Sequence, residues 1–306
     1  MASTRELRHH IRSVRSTRQI TKAMEMVAAS KLRRATDSAT ASRPYALRIA
    51  EALRDALITP DNQSIHPLLV PRPVKKTVLV VISSDRGLAG AYNTGIIKAA
   101  LEFITTEKAA GRTVDCITFG RKAEQALARL GIPIVQSYEH SGSHPVAQDV
   151  LPLAGSLADY YTDGTYDQVM VLNTHFVSAF KQEPRVTHFL PLTHEEFEIT
   201  TAGDAHFVAR EKGAEQRHEH MFLYEPGPEA LLSALIPRYL ETLLFQHLQE
   251  ALASEHAARR MAMHSATDNA SDIIESLQLT YNSVRQSSIT QELAEITSGA
   301  VSLQTD

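Results

Sequence analysis

The sequence predicts an α/β protein with a very long helix at each end. Glycine and proline both disrupt helix interiors. They are absent from Met1 to Arg43, recur steadily between Pro44 and Pro237, and then stop except for Gly299. Between the ends, β-branched apolar runs alternate with helix-length segments, the pattern of a mostly parallel sheet. At about 1.5 Å per residue, Thr4 to Leu57 would reach roughly 80 Å and Pro228 to Leu303 roughly 110 Å. Helices that long outrun any compact domain, whose helices usually have about 11–12 residues. They must pair with each other or with other chains.

The first helix has Ser3 or Thr4 as its cap and Glu6 in its first turn. Leu7, Ile11 and Val14 follow a 4-3 spacing, and Ile20, Met24 and Val27 repeat it after a shift of phase. Pro44 kinks or ends this helix, after which Leu47, Ala50, Leu53 and Leu57 resume an apolar face. Thr77 to Ile82 reads as a buried strand, followed by a glycine-bearing loop and a helix from Ala91 to Lys108. Val114 to Phe119, Pro133 to Ser137, Gln168 to Asn173 and Arg185 to Leu192 read as further strands. Lys122 to Leu130 and Val146 to Tyr161 read as helices, and 193–220 as a loop.

In the last helix, Ala266, Ala270, Ile273, Leu277, Thr280, Val284, Ser287, Gln291, Ala294, Ser298 and Val301 form one 4-3 series. Its small and polar members suit close helix contact. Ile289, Leu293, Ile296, Ala300 and Leu303 form a second series on another face, and two seams on one helix need two sets of neighbours. From Gln286 to Thr305 the only charges are Glu292 and Glu295, as expected of a helix end enclosed by neutral walls.

Composition narrows the function. Hydrophobic residues at 43% and charged residues at 22% describe a folded protein, and a net charge of −4 excludes a globally basic nucleic-acid coat. The single cysteine, Cys116, excludes a disulfide framework and a CxxC redox pair. No apolar run approaches the roughly 20 residues of a membrane span. The loop Ser84 to Gly90 follows a strand, where doubly wound sheets bind phosphates, yet it lacks GxGxxG and the Walker lysine. A structural turn is the favoured reading. Fourteen histidines give neither HExxH nor a convincing second pair, so no metal and no cofactor are expected. Arg5, Arg8, Arg12, Arg15, Arg18 and Lys22 concentrate positive charge near the start, which suits an acidic protein surface. A coiled-coil nucleic-acid-binding protein is the alternative, weakened because no aromatic residue accompanies these cations.

Several segments match one family. Ile20-Thr21-Lys22-Ala23-Met24-Glu25-Met26-Val27-Ala28-Ala29-Ser30-Lys31 resembles the N-terminal signature of the gamma subunit of F-type ATP synthases. Ala266-Thr267-Asp268-Asn269-Ala270 and Ser288 to Ile296 resemble its C-terminal signature, Ser84 to Gly90 its DRGLCGG loop, and Leu223-Tyr224-Glu225-Pro226 its LYEP element. Ala89 stands where the family usually has cysteine, and His264 where a lysine is common.

The resemblance implies an antiparallel coiled coil of the terminal helices plus a central Rossmann-like α/β domain. It divides the chain into residues 1–58 (coil helix), 74–226 (central domain) and 227–306 (coil helix). It implies a non-catalytic rotor subunit turning inside a ring of alpha and beta subunits, near epsilon and the membrane c-ring, with delta as a further partner. No nucleic acid and no small-molecule substrate are implied. Lys22 and Met24 match positions near an acidic lever of beta. Arg285, Gln291 and Glu292 match contacts with beta's catch loops, and Tyr224 and Glu225 a foot near the c-ring. Ile289, Leu293 and Ile296 would face the sleeve of the ring. With no transit peptide evident, a bacterial plasma-membrane enzyme is expected, with this subunit on the cytoplasmic side.

Overall fold

The computed structural model describes residues 3–57, 66–139, 146–192 and 227–304. The expected loop at 193–220 lies outside them. The chain divides into two compact units, Lys31–Ala258 and the pair Met1–Ser30 with Arg259–Asp306. Helices α1 (Thr4–Ala56) and α5 (Pro228–Gln304) each lend one stretch to either unit. Pro44 and Pro237 both lie inside these helices, so neither ends one.

The larger unit is a five-stranded sheet in the order β3-β2-β1-β4-β5. Its strands are β1 (Lys76–Ile82), β2 (Thr113–Phe119), β3 (Ile134–Tyr138), β4 (Gln168–Phe176) and β5 (Gln182–Leu190). Helices α2 (Tyr92–Ala109), α3 (Arg121–Arg129) and α4 (Leu151–Thr162) supply the crossovers. The first four strands are parallel, and β5 pairs antiparallel to β4. The short segment from Val177 to Lys181 forces that reversal, since a parallel return needs a crossover of a dozen or more residues.

Both faces of β1 are covered, which is why it reads as one apolar run. Val78, Val80 and Ile82 pack with Leu153, Leu157 and Tyr161 of α4, Leu53 of α1, and Leu240, Leu244 and Leu248 of α5. On the other face, Leu79, Val81 and Cys116 meet Ile96, Ala100 and Ile104 of α2 and Leu127 of α3. The start of β1 is pinned by Asp167, whose carboxylate accepts from the backbone N–H of Lys75 (2.9 Å) and Lys76 (3.0 Å). Burial alone would push that carboxyl up, but these N–H groups and the nearby Arg72 outweigh it and hold it low. Arg72 lies 4.1 Å from the centre of the Tyr161 ring and donates to the carbonyls of Tyr161 and Tyr166.

Cys116 is fully buried, and burial with the neighbouring Asp115 pushes its thiol up to about 12. Thiolate is the reactive form. A disulfide reagent at pH 8 is therefore expected to modify it only at the rate of unfolding; rapid labelling of the folded chain would contradict this.

In the smaller unit the two helices pair antiparallel. Arg8 Nη2 donates to Tyr281 Oη at 2.7 Å, Thr267 Oγ1 to Thr21 Oγ1 at 2.8 Å, and His264 Nδ1 lies 3.3 Å from Glu25 Oε1. Numbers rise along one helix as they fall along the other. Ser3 and Glu6 close the N-terminus with a reciprocal cap, Glu6 N to Ser3 Oγ and Ser3 N to Glu6 Oε2.

The seam differs from the expected one at alternate positions. On α5, Met263, Ala270 and Ile274 are buried, with Thr267, Leu277, Tyr281 and Val284 half-buried. Ile274 is 8% exposed and Ile273 47%. The predicted series and the real one share Ala270, Leu277 and Val284 but part at every member between. On α1 burial passes from Leu7, Ile11 and Val14 to Thr21, Glu25 and Ala28, with Met24 half-buried, while Arg18, Ile20 and Val27 are exposed. Polar pairing across the seam replaces apolar contact there.

Candidate interaction surfaces

Lys22 is exposed and donates to Glu25 Oε2 at 3.0 Å, and Met24 is half-buried. Glu25 also faces His264, whose second ring nitrogen lies 3.5 Å from Asp268. The Lys22 hydrogen bond, with smaller contributions from the Lys22 and His264 charges, holds the Glu25 carboxyl below its usual range. A lowered carboxylate stabilises the folded state above the unfolded value, near 4.3, and that stability is lost as pH falls through the lowered one. Thermal melting of the helix pair is thus expected to weaken on the acid side, and Glu25→Gln to flatten that limb. An unchanged acid limb in Glu25→Gln would contradict it.

Beside this cluster, Arg18, Lys22 and Met26 of α1 and Thr267 and Ser271 of α5 line an open groove of about 380 Å³. Ile20, Met26 and Val27 are exposed nearby in sequence, so Ile20 and Val27 lie outside the coil seam that their spacing predicts. Their heptad spacing was readable; that it belonged to an outer face was not.

The pairing ends near Arg8. The Arg8 guanidinium lies 5.6 Å from the centre of the Tyr281 ring, and Arg285 6.0 Å from it. Both cations favour the Tyr281 phenolate, the Arg8 hydrogen bond most of all, and the phenol is held below its usual range. Beyond this clasp every described side chain from Arg285 to Thr297 is exposed. Ile289, Leu293 and Ile296 follow i, i+4, i+7 spacing and so share one face, with Leu293 57% and Ile296 67% exposed. Gln291 donates to Glu295 at 3.0 Å, and Glu292 accepts from Ser288 at 3.3 Å, both within the same helix. Lys22 and Met24 belong to the Thr267 region and are not brought together with the 285–296 group. Tyr224, Glu225 and the side chains of Ser298, Ala300, Val301 and Leu303 lie outside the described residues.

The loop after β1 is committed to capping α3. Asp85 Oδ1 accepts from Arg121 N at 3.2 Å, Ser84 O from Lys122 N at 3.0 Å, and Ser83 Oγ from Ala123 N at 2.9 Å. These are the three N–H groups that a phosphate at this helix terminus would need. Among the described residues no group of His, Cys, Asp and Glu has the arrangement to hold a metal ion, and no helix is long and apolar enough to cross a membrane.

A long antiparallel helix pair, an apolar stripe on a helix extending past its partner, and a loop spent on its own cap define a subunit that works through other chains. Residues 3–303 match the family described as ATP synthase, and the chain belongs to that family. It is 40% identical over 310 residues to the ATP synthase gamma chain of Herpetosiphon aurantiacus, covering 99% of each chain. It is likewise 40% identical to that of Moorella thermoacetica over 304 residues, covering 99% of this chain and all of that one. Its fold matches that of one chain in the central stalk and c-ring structure of Tetrahymena thermophila mitochondrial ATP synthase (24% identity, 81% and 99% coverage, TM-score 0.60). The Euglena gracilis OSCP/F1/c-ring structure shares it too (18% identity, 98% and 94% coverage, TM-score 0.63).

Proposed function

We propose that this chain is the central rotor subunit of a bacterial F-type ATP synthase and that it catalyses nothing itself. The observation that carries the reading is the run Ile289, Leu293 and Ile296, apolar side chains left in solvent on a stretch of helix where every described side chain past Val284 is exposed. Exposed apolar faces of this kind mark surfaces made for other proteins. A ring of alpha and beta subunits closing around residues 285–304 supplies the missing walls, and full-length identity to gamma chains supports that choice over nucleic acid.

Proton flow through the membrane c-ring turns the chain, and each beta subunit meets a different side of it. Differential contact is the only means by which a partner shifts a conformational equilibrium. The cations Arg18 and Lys22 with the adjoining groove, which Met26 helps line, suit an acidic segment of beta, and Met24 lies two residues from Lys22 in sequence. Arg285, Gln291 and Glu292 offer hydrogen bonds to loops of the ring. Contact with epsilon and the c-ring is assigned to Tyr224 and Glu225 on their likeness to the family's LYEP element, and with it a peripheral position on the cytoplasmic face of the plasma membrane.

Co-expression with the alpha and beta subunits of the same organism tests the reading. A stable complex holding one copy of this chain, with ATP hydrolysis that depends on it, is expected. A self-sufficient monomer that ignores both subunits, or binds DNA with a steep salt dependence, would refute it.

A further inference from the structure

The sheet order reverses between β1 and β4, and the crevice outside the carboxyl ends of two such strands is where doubly wound folds usually bind ligands. Here the protein's own helix occupies that place. The last β1–β4 pair is Val81 with Leu172, and Thr174 stands opposite Pro184 of β5, which has no N–H to give. The Thr174 carbonyl thus lacks a strand donor on either side. Ser254 of α5, fully buried, donates its hydroxyl to it at 3.0 Å. One turn earlier on α5, Glu250 lies 3.1 Å from His175 Nδ1, and buried Asn173 reaches Glu250 and the His247 carbonyl at 3.5 Å. Phe176 then packs against Ala253 and Ala257.

Leu240, Leu244, Leu248 and Ala251 also bury α5 against this unit by apolar contact. Apolar burial is non-directional and resists rotation of a helix about its axis weakly. Hydrogen bonds to fixed strand atoms do resist it, because any turn of the helix breaks them. We infer that Ser254, Glu250, His175 and Asn173 form a rotational lock, converting the ligand crevice of the fold into the joint through which the sheet drives the C-terminal helix. The inference rests on the rotor reading above. These are positioning residues; none touches nucleotide.

The test uses the reconstituted complex and reads protons pumped per ATP hydrolysed. Ser254→Ala and Glu250→Gln are expected to hydrolyse ATP normally but to slip about fivefold more often, the equilibrium change for one ordinary hydrogen bond. Thr242→Val is the control. Its hydroxyl bonds to Arg238 O at 2.7 Å within α5, so its loss removes a comparable bond that does not cross to the sheet. Equal pumping ratios in all three variants and the unaltered chain, or equal slip in Thr242→Val, would overturn the lock. Failure of the unaltered chain to assemble with alpha and beta would remove the rotor reading, and the lock with it.

Discussion

Gly120→Ala is expected to destabilise the sheet unit by about 3–5 kcal/mol. Gly120 has φ +103, a region that side chains rarely adopt, and it sits between β2 and α3. A Cβ there would lie 2.4 Å from the Ser83 carbonyl oxygen and 2.8 Å from Ser83 Oγ. Neither atom has room to retreat. The Ser83 amide is bonded to Phe119 O at 2.7 Å, and Ser83 Oγ accepts from Ala123 N at 2.9 Å, within the cap of α3. The methyl group must therefore part β1 from β2 or undo the cap. Gly131→Ala is the comparison, since Gly131 also has positive φ (+68) but nothing within 4 Å of its Cβ. It is expected to cost only about 1–2 kcal/mol of left-handed strain. Urea unfolding followed by circular dichroism separates the two, and similar midpoints for both variants would show that the Ser83 contact yields easily.

Replacing Ile289, Leu293 and Ile296 together by glutamate is expected to abolish assembly with alpha and beta. Glutamate is a good helix former, so the helix itself survives the change. The three carboxylates would instead be dehydrated against apolar walls, each at a cost of several kcal/mol unless it finds a partner. In the free chain these positions are already in solvent, so the folded stability of the isolated protein is expected to change little. That contrast is diagnostic, because loss of assembly with an unchanged melt locates the effect at the interface. Exchanging leucine and isoleucine among the three positions keeps apolar volume and is expected to preserve assembly. A fully assembled glutamate variant would remove the sleeve contact from the proposal.

Much of this architecture was legible because it depends on strong local signals. Absent prolines and glycines exposed the two long helices, and β-branched runs gave each of the five strands. Two classes of feature were hidden. The first is heptad register. Ala266 or Thr267, Ile273 or Ile274, and Thr280 or Tyr281 each offer two candidates between the shared Ala270, Leu277 and Val284, and small or polar residues give too little hydrophobic contrast to choose. On α1 the true seam passes through Thr21 and Glu25, whose fitness depends on Thr267 and His264 far along the chain. Counting sevens onward from Leu7 reaches Thr21 and Ala28; apolar pattern alone favoured Ile20 and Val27. The second is what covers a surface. Sequence spacing marked Ile289, Leu293 and Ile296 as a face, and geometry leaves that face open. The foot residues Tyr224 and Glu225 rested on the family resemblance throughout.

The clasp between Arg8 and Tyr281 joins residues 273 positions apart. Ribosomes release a chain from its N-terminus at about 5–20 residues per second, so α1 emerges roughly ten seconds or more before its coil partner exists. An amphipathic helix of this length, with Ile20 and Val27 on one side and Leu7 and Ile11 on another, spends that interval without a mate. The nascent chain is thus expected to need a holding chaperone, and the coil is closed only by the final stretch of translation.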